Sequence, residues 1–175
     1  AVPGQGIFDV PTPDAKTARE GLARGERFLS DWAGHPRVTP ALAPHAVYTV
    51  GPETFRKTVD LAARYSAPVL THLSESDGEL AMVRARYGAS PVRHLAAHGL
   101  LTPSLVAAHC VRVDDEEIAL LRGAGVGVVH CPESNMKLAS GIAPVPEYFA
   151  NGITVALGTD GAASNNDLDM FEAMR

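Results

Sequence analysis

Cysteine is scarce in this chain of 175 residues, which holds only Cys110 and Cys131. Two are too few for a disulfide scaffold, and they lack the C-x-x-C spacing of a zinc or redox motif, so a reducing, cytoplasmic setting is expected. Positive charge is in deficit as well, with 15 Lys and Arg against 20 Asp and Glu. The net charge of -5 leaves no basic footprint for nucleic acid or an anionic membrane surface. No apolar run approaches the ~20 residues of a membrane-spanning helix, and the first residues lack the basic-then-apolar order of a signal peptide. The expected partner is therefore a small molecule, with neither nucleic acid nor membrane. The remaining composition, 46% hydrophobic and 20% charged, excludes the disordered and fibrous classes.

The chain opens at Ala1 without a Met and closes at Arg175 inside an amphipathic pattern that has no terminator. It reads as a piece of a longer protein. Helical and strand patterns alternate along it. "PDAKTAREGLARGERFLSDWA" sets Leu22, Leu29 and Trp32 on one helical face, and "GPETFRKTVDLAARY" begins with Pro52 in a first turn and spaces Phe55 and Val59 four apart. Asp114 and Glu117 form a D-x-x-E helix start, with Gly123 and Gly125 as the stop, which assigns the acidic run 114–117 to capping. Five short apolar segments lie between the helical patterns: "RVTPALAPH", "APVLTHLSE", "SLVAAHCV", "GVGVVHCPES" and "ITVALGTDG". Strands alternating with helices predict an α/β fold with a helix-covered parallel sheet.

Each of these strands ends in a side chain capable of chemistry: His45, His72 with Glu75 just beyond, His109, His130 and Asp160. They recur roughly 20 to 40 residues apart, which accommodates one strand, one helix and two loops. In a (β/α) barrel the C-terminal strand ends converge on one mouth, where active sites sit. A lone histidine at a strand end is commonly a hydrogen-bonded packing residue, and Asp160-Gly161 alone is an ordinary turn. Four histidines and two carboxylates at successive strand ends favour a site instead. His35, His94 and His98 fall off the pattern and are assigned structural roles, and Cys110, adjacent to His109, is assigned to packing on the opposite face. "GAGVG" precedes a strand and does not complete G-x-G-x-x-G, so a dinucleotide loop is rejected.

"THLSES", "AAHCV", "HCPESNMKLASGIAP" and "ALGTDGAASNNDLDMFEAMR" together resemble the metal-dependent amidohydrolase superfamily. The last two resemble most its branch of 5'-methylthioadenosine/S-adenosylhomocysteine deaminases. The resemblance runs from about Thr39 to Arg175. It implies a partial (β/α)8 TIM-type barrel, about the fourth to eighth β/α units, with residues 1–175 as the C-terminal portion of a single incomplete domain. It also implies one divalent metal, zinc first, with iron, manganese or nickel as alternatives. In the family the metal is held by an H-x-H pair, a His and an Asp; His72 and Asp160 match the last two. No two of the seven histidines here are two apart, so the H-x-H pair has no counterpart, which is expected of a chain that begins after the third strand.

The resemblance further implies hydrolytic deamination of an adenosine-type nucleoside. Glu75, His109 and Asp160 are the implied catalytic residues: Glu75 protonates the ring nitrogen, His109 orients the attacking hydroxide, and Asp160 moves the water's proton toward the departing ammonia. His45, Glu75 and His109 are the implied substrate contacts. His130 and the Ser134-Asn135 turn line the same mouth with no assigned role. The H-x-E and P-C-x-x-C ligands of the cytidine-type zinc deaminases are missing. Two alternatives stay open: an amidohydrolase of another heterocycle, such as guanine, an aminofutalosine or a chloro- or amino-triazine, and a non-catalytic barrel protein. Homo-oligomerisation of the parent protein also stays open. Residues 1–175 on their own, with unpaired sheet edges and half the ligands, are expected to be inactive and poorly soluble or self-associating.

Overall fold

Six short strands, not five, alternate with eight helices in the computed structural model, which describes residues 1–175. The additional strand is β1, Gly4–Ile7. Its sequence, Gly-Gln-Gly-Ile, has two glycines among four residues and so little strand preference of its own, and it is held by pairing from Gly4↔Ala41 to Ile7↔Pro44 along β2, Ala41–Pro44. Every strand pairing resolved is parallel. The α/β class expected from the alternation is the one found.

The chain divides into two compact units, Ala1–Thr71 and His72–Arg175. In the first, α1 (Ala18–Asp31) and α2 (Pro52–Arg64) pack on β1 and β2. Thr17 caps α1 by accepting from the Glu20 N–H, and Pro52 opens α2 where a missing N–H costs no helical hydrogen bond. Phe55, Thr58, Val59, Leu61 and Ala62 form the buried face of α2. On α1 the buried face is small: Gly21, Gly25 and Leu29. A Cβ on Gly25 would lie 2.8 Å from a Leu42 methyl, so glycine lets the helix approach β2 closely. Trp32, expected on the buried face, follows the helix as its C-cap and is exposed.

The second unit contains the end of β3 (Val69–Leu73), then α3 (Asp77–Tyr87), α4 (Pro91–Ala97), β4 (Leu105–His109), α5 (Asp115–Gly123), β5 (Gly127–His130), α6 (Pro132–Lys137), α7 (Val145–Ala150), β6 (Val155–Leu157) and α8 (Met170–Ala173). β4, β5 and β6 pair in chain order, with Val106↔Gly127 and Val128↔Val155 among the registers. Leu73, Leu95, Leu105, Ala107, Leu121, Val126, Val128 and Tyr148 form the core. The acidic run Asp114–Glu117 is a capping box, as its spacing predicts: Asp114 accepts from the Glu117 N–H and Glu117 from the Asp114 N–H, both at 3.0 Å. No helix is long and apolar enough to cross a membrane.

Candidate active site

The second unit brings His72, His109 and Asp160 together, with one ligand-capable atom of each within 4.8 Å of the others. His72 is the penultimate residue of β3, His109 the last of β4, and Asp160 lies three residues beyond β6. The His72 and His109 rings stack with centroids 5.4 Å apart. Nε2 of His109 is 3.9 Å from Glu75 Oε2 and 3.9 Å from Asp160 Oδ2. Backbone geometry at these strand ends is unusual. Ser74, His109, Cys110 and Asp160 all have left-handed φ, at 50°, 72°, 46° and 60°. Such positions cost free energy in non-glycine residues, and they end the regular alternation of side chains so that a ring or carboxylate can be re-aimed.

Two neighbouring hydrogen bonds hold the strained turns in place. The Cys110 N–H donates to the Leu73 carbonyl at 3.0 Å, and the Arg112 N–H to the Ser74 carbonyl at 2.8 Å, joining the ends of β3 and β4. Cys110 is fully buried, as expected of a packing residue, and its thiol is pushed upward by burial. Cys131 is raised by the same cause to about 12.

Asp160 is fixed by three hydrogen-bond donors. Ser134 Oγ and Ser164 Oγ each donate to Oδ2 at 2.7 Å, and the Gly161 N–H donates to Oδ1 at 2.7 Å. Burial works against ionisation, but these donors, with His109 nearby, outweigh it and hold the carboxyl below its ordinary range. Asp160 is thus a carboxylate at neutral pH. Glu75 accepts from Ser140 Oγ at 3.4 Å.

Behind Glu75 stands Glu79, a buried carboxyl to which the sequence pattern gives no role. It accepts from the Ser74 N–H at 3.2 Å and the Glu75 N–H at 2.7 Å. Burial raises it to about 7 against the lowering effect of those two N–H groups. Its only sequence signal is the S-x-x-E spacing from Ser76, the N-cap of α3, which reads as surface capping. His130 ends β5, with Nδ1 buried and unpartnered; burial, assisted by the proximity of His109, lowers its proton affinity.

His45 belongs to the first unit, directly after β2. Its Nδ1 is 2.8 Å from Thr49 Oγ1, and its ring stacks on Phe8 with centroids 5.0 Å apart. His94 and His98, assigned structural roles, form a ring cluster with Tyr87 on α3 and α4, with centroids 4.1 and 4.4 Å apart.

The chemistry of the donor set fits a divalent cation. Two imidazoles and an ionised carboxylate are ligands that suit zinc. His109 Nε2 is buried with no hydrogen-bond partner, although it faces two carboxylates.

The chain belongs to the Amidohydrolase family, whose profile matches residues 4–175. It is 48% identical over 174 residues to the 5-methylthioadenosine/S-adenosylhomocysteine deaminase of Syntrophobacter fumaroxidans, covering 99% of this chain and 40% of that protein. It is 50% identical over 160 residues to the enzyme of the same name from Pelotomaculum thermopropionicum, covering 90% of this chain and 37% of that one. The chain therefore spans about 40% of the length of the curated relatives it matches. Among solved structures, an adenosine deaminase from Xanthomonas campestris with bound zinc superimposes with a TM-score of 0.94 at 42% identity, covering 97% of this chain and 39% of that one. A guanine deaminase from C. acetobutylicum with bound guanine gives 0.84 at 30% identity, covering 92% and 40%.

Proposed function

We propose that this chain carries part of the catalytic site of a hydrolytic deaminase acting on an adenosine-type nucleoside, such as 5'-methylthioadenosine or S-adenosylhomocysteine. The observation that carries the reading is the meeting of His72, His109 and Asp160 within 4.8 Å, with Glu75 at the same point. The names of the relatives support the substrate class, and identity to the adenosine deaminase, 42%, exceeds that to the guanine deaminase, 30%.

His72 and Asp160 would hold a divalent metal, zinc first, together with ligands from an H-x-H pair that has no counterpart in these residues. When bound, such an ion polarises water and lowers its pKa toward ~7. The chain's own groups supply the rest. Asp160, kept ionised by Ser134, Ser164 and Gly161, accepts a proton from the attacking water as oxygen adds to C6 of the purine. His109 orients that water through Nε2. Glu75 delivers a proton to the adjacent ring nitrogen; as the tetrahedral carbon collapses, Asp160 returns the proton it took to the amino group, which leaves as ammonia, and the proton remaining on the added oxygen passes to Glu75 as the carbonyl forms. The balance is one amine and one water converted to one carbonyl and one ammonia. General acid–base steps of this kind contribute about 10²- to 10⁴-fold each. His45 is proposed, on the family resemblance alone, as a substrate contact. Two buried free cysteines fit a cytoplasmic setting.

The test is ammonia release by the gene product that carries these residues, supplied in turn with 5'-methylthioadenosine, S-adenosylhomocysteine, guanine and an amino-triazine. Turnover of the two adenosine derivatives above the others is expected. Turnover confined to guanine or the triazine would transfer the reading to another heterocycle, and no ammonia from any of them would leave a non-catalytic protein.

A further inference from the structure

Asn135 lies one turn into α6, between β5 and β6, and is as buried as His109, each 1% exposed. Its Oδ1 is 2.9 Å from His109 Nδ1. An amide oxygen only accepts, so the bond requires the proton on Nδ1 and places the lone pair of the neutral ring on Nε2. Nε2 is the atom that faces Glu75 and Asp160 at 3.9 Å. In the opposite tautomer that position would carry an N–H aimed at two carboxylates, and the ring could neither ligate nor accept from water.

We propose that Asn135 is a positioning residue that fixes the tautomer and ring orientation of His109. The inference rests on the reading above that His109 works through Nε2. Two further observations support it. Asn135 Nδ2 is buried without a partner, a desolvation penalty that an apolar residue of the same shape would avoid. The preceding residue, Ser134, performs the matching task for Asp160 by donating to Oδ2 at 2.7 Å. One turn of α6 therefore orients a ring from β4 and a carboxylate from beyond β6. Outer partners of this type fix the ring nitrogen that remains free, and their loss typically costs about 10- to 100-fold in affinity or activity.

The direct experiment is ¹⁵N–¹H correlation of the histidine rings in the whole gene product that carries these residues, at a pH where imidazole is neutral, on the parent protein, Asn135→Leu and Asn135→Asp. His109 is expected as the Nδ1–H form in the parent. Asn135→Leu, which has no acceptor, should give a tautomer mixture or the Nε2–H form, and Asn135→Asp should restore Nδ1–H. In the gene product, Asn135→Leu should lower kcat about 10- to 100-fold with little change in KM. An Nε2–H ring in the parent, or a Leu variant with tautomer and kcat both unaltered, would overturn the proposal. If Asn135→Leu fails to fold by circular dichroism, the parent spectrum and the Asp variant decide the matter. The ring spectra need no turnover, so absence of deamination would reject the functional reading and leave this inference to stand or fall by itself.

Discussion

Tyr148, in α7, donates its hydroxyl hydrogen bond to the carbonyl oxygen of Cys110. Cys110 and His109 before it both have left-handed backbone, so Tyr148 pins the turn that aims the His109 ring. Tyr148 is fully buried, and removing its hydroxyl would leave the Cys110 carbonyl without that donor. Tyr148→Phe, which keeps the ring, is expected to cost about 1–3 kcal/mol. Urea unfolding measures this, and a midpoint equal to that of the parent would show that the turn is held by its other contacts.

Glu75→Gln should abolish deamination by the gene product while leaving its metal content near the parent value, because Glu75 is assigned to proton transfer. His72→Ala or Asp160→Asn should lower both. Elemental analysis beside an ammonia assay separates the two outcomes. Loss of metal in the Glu75 variant would refute the division of roles.

Glu79 makes stability depend on pH with a definite sign. Its folded value of about 7 lies above the ordinary 4.5, so the folded state favours the neutral form. That contribution is full below the ordinary value and is lost as pH rises through about 7. The loss is roughly 3 kcal/mol. Glu79→Gln cannot ionise, so it should remove this part of the slope between pH ~4.5 and ~7. Denaturation of both chains at the two ends of that window is the check, and parallel curves would show that Glu79 remains ionised throughout.

Neither cysteine should react with a disulfide reagent at neutral pH in the folded chain. Both are buried, and burial raises both thiols, Cys131 to about 12, which leaves almost no thiolate to attack. Both should react at once after unfolding. Rapid native-state labelling would mean that the strand ends open readily.

The strand-end pattern was legible because the polar residues interrupt apolar runs at regular intervals: His72, His109 and Asp160 stand out against their flanking Leu, Ala and Val. β1 was not, since Gly-Gln-Gly-Ile has no intrinsic strand preference and depends on its pairing with β2. Glu79 was hidden for a different reason. A Glu three residues after a Ser reads as capping, and only the folded turn at Ser74 shows that its carboxyl also receives the two N–H groups below Glu75. Ser134 and Asn135 were placed at the mouth by position, but their partners are 26 residues away in sequence, and no local pattern announces a bond of that span. Trp32 misled because helical periodicity continued past the point where the helix ends.

The left-handed backbone at His109 and Asp160 sets foldability and chemistry against each other at the same positions. Glycine and asparagine enter that conformation with less penalty than a histidine does, so a library selected for heat tolerance alone would drift away from the very side chains that meet at the strand ends. Thermostabilisation of this chain would have to be sought in the helices, with those turns held constant.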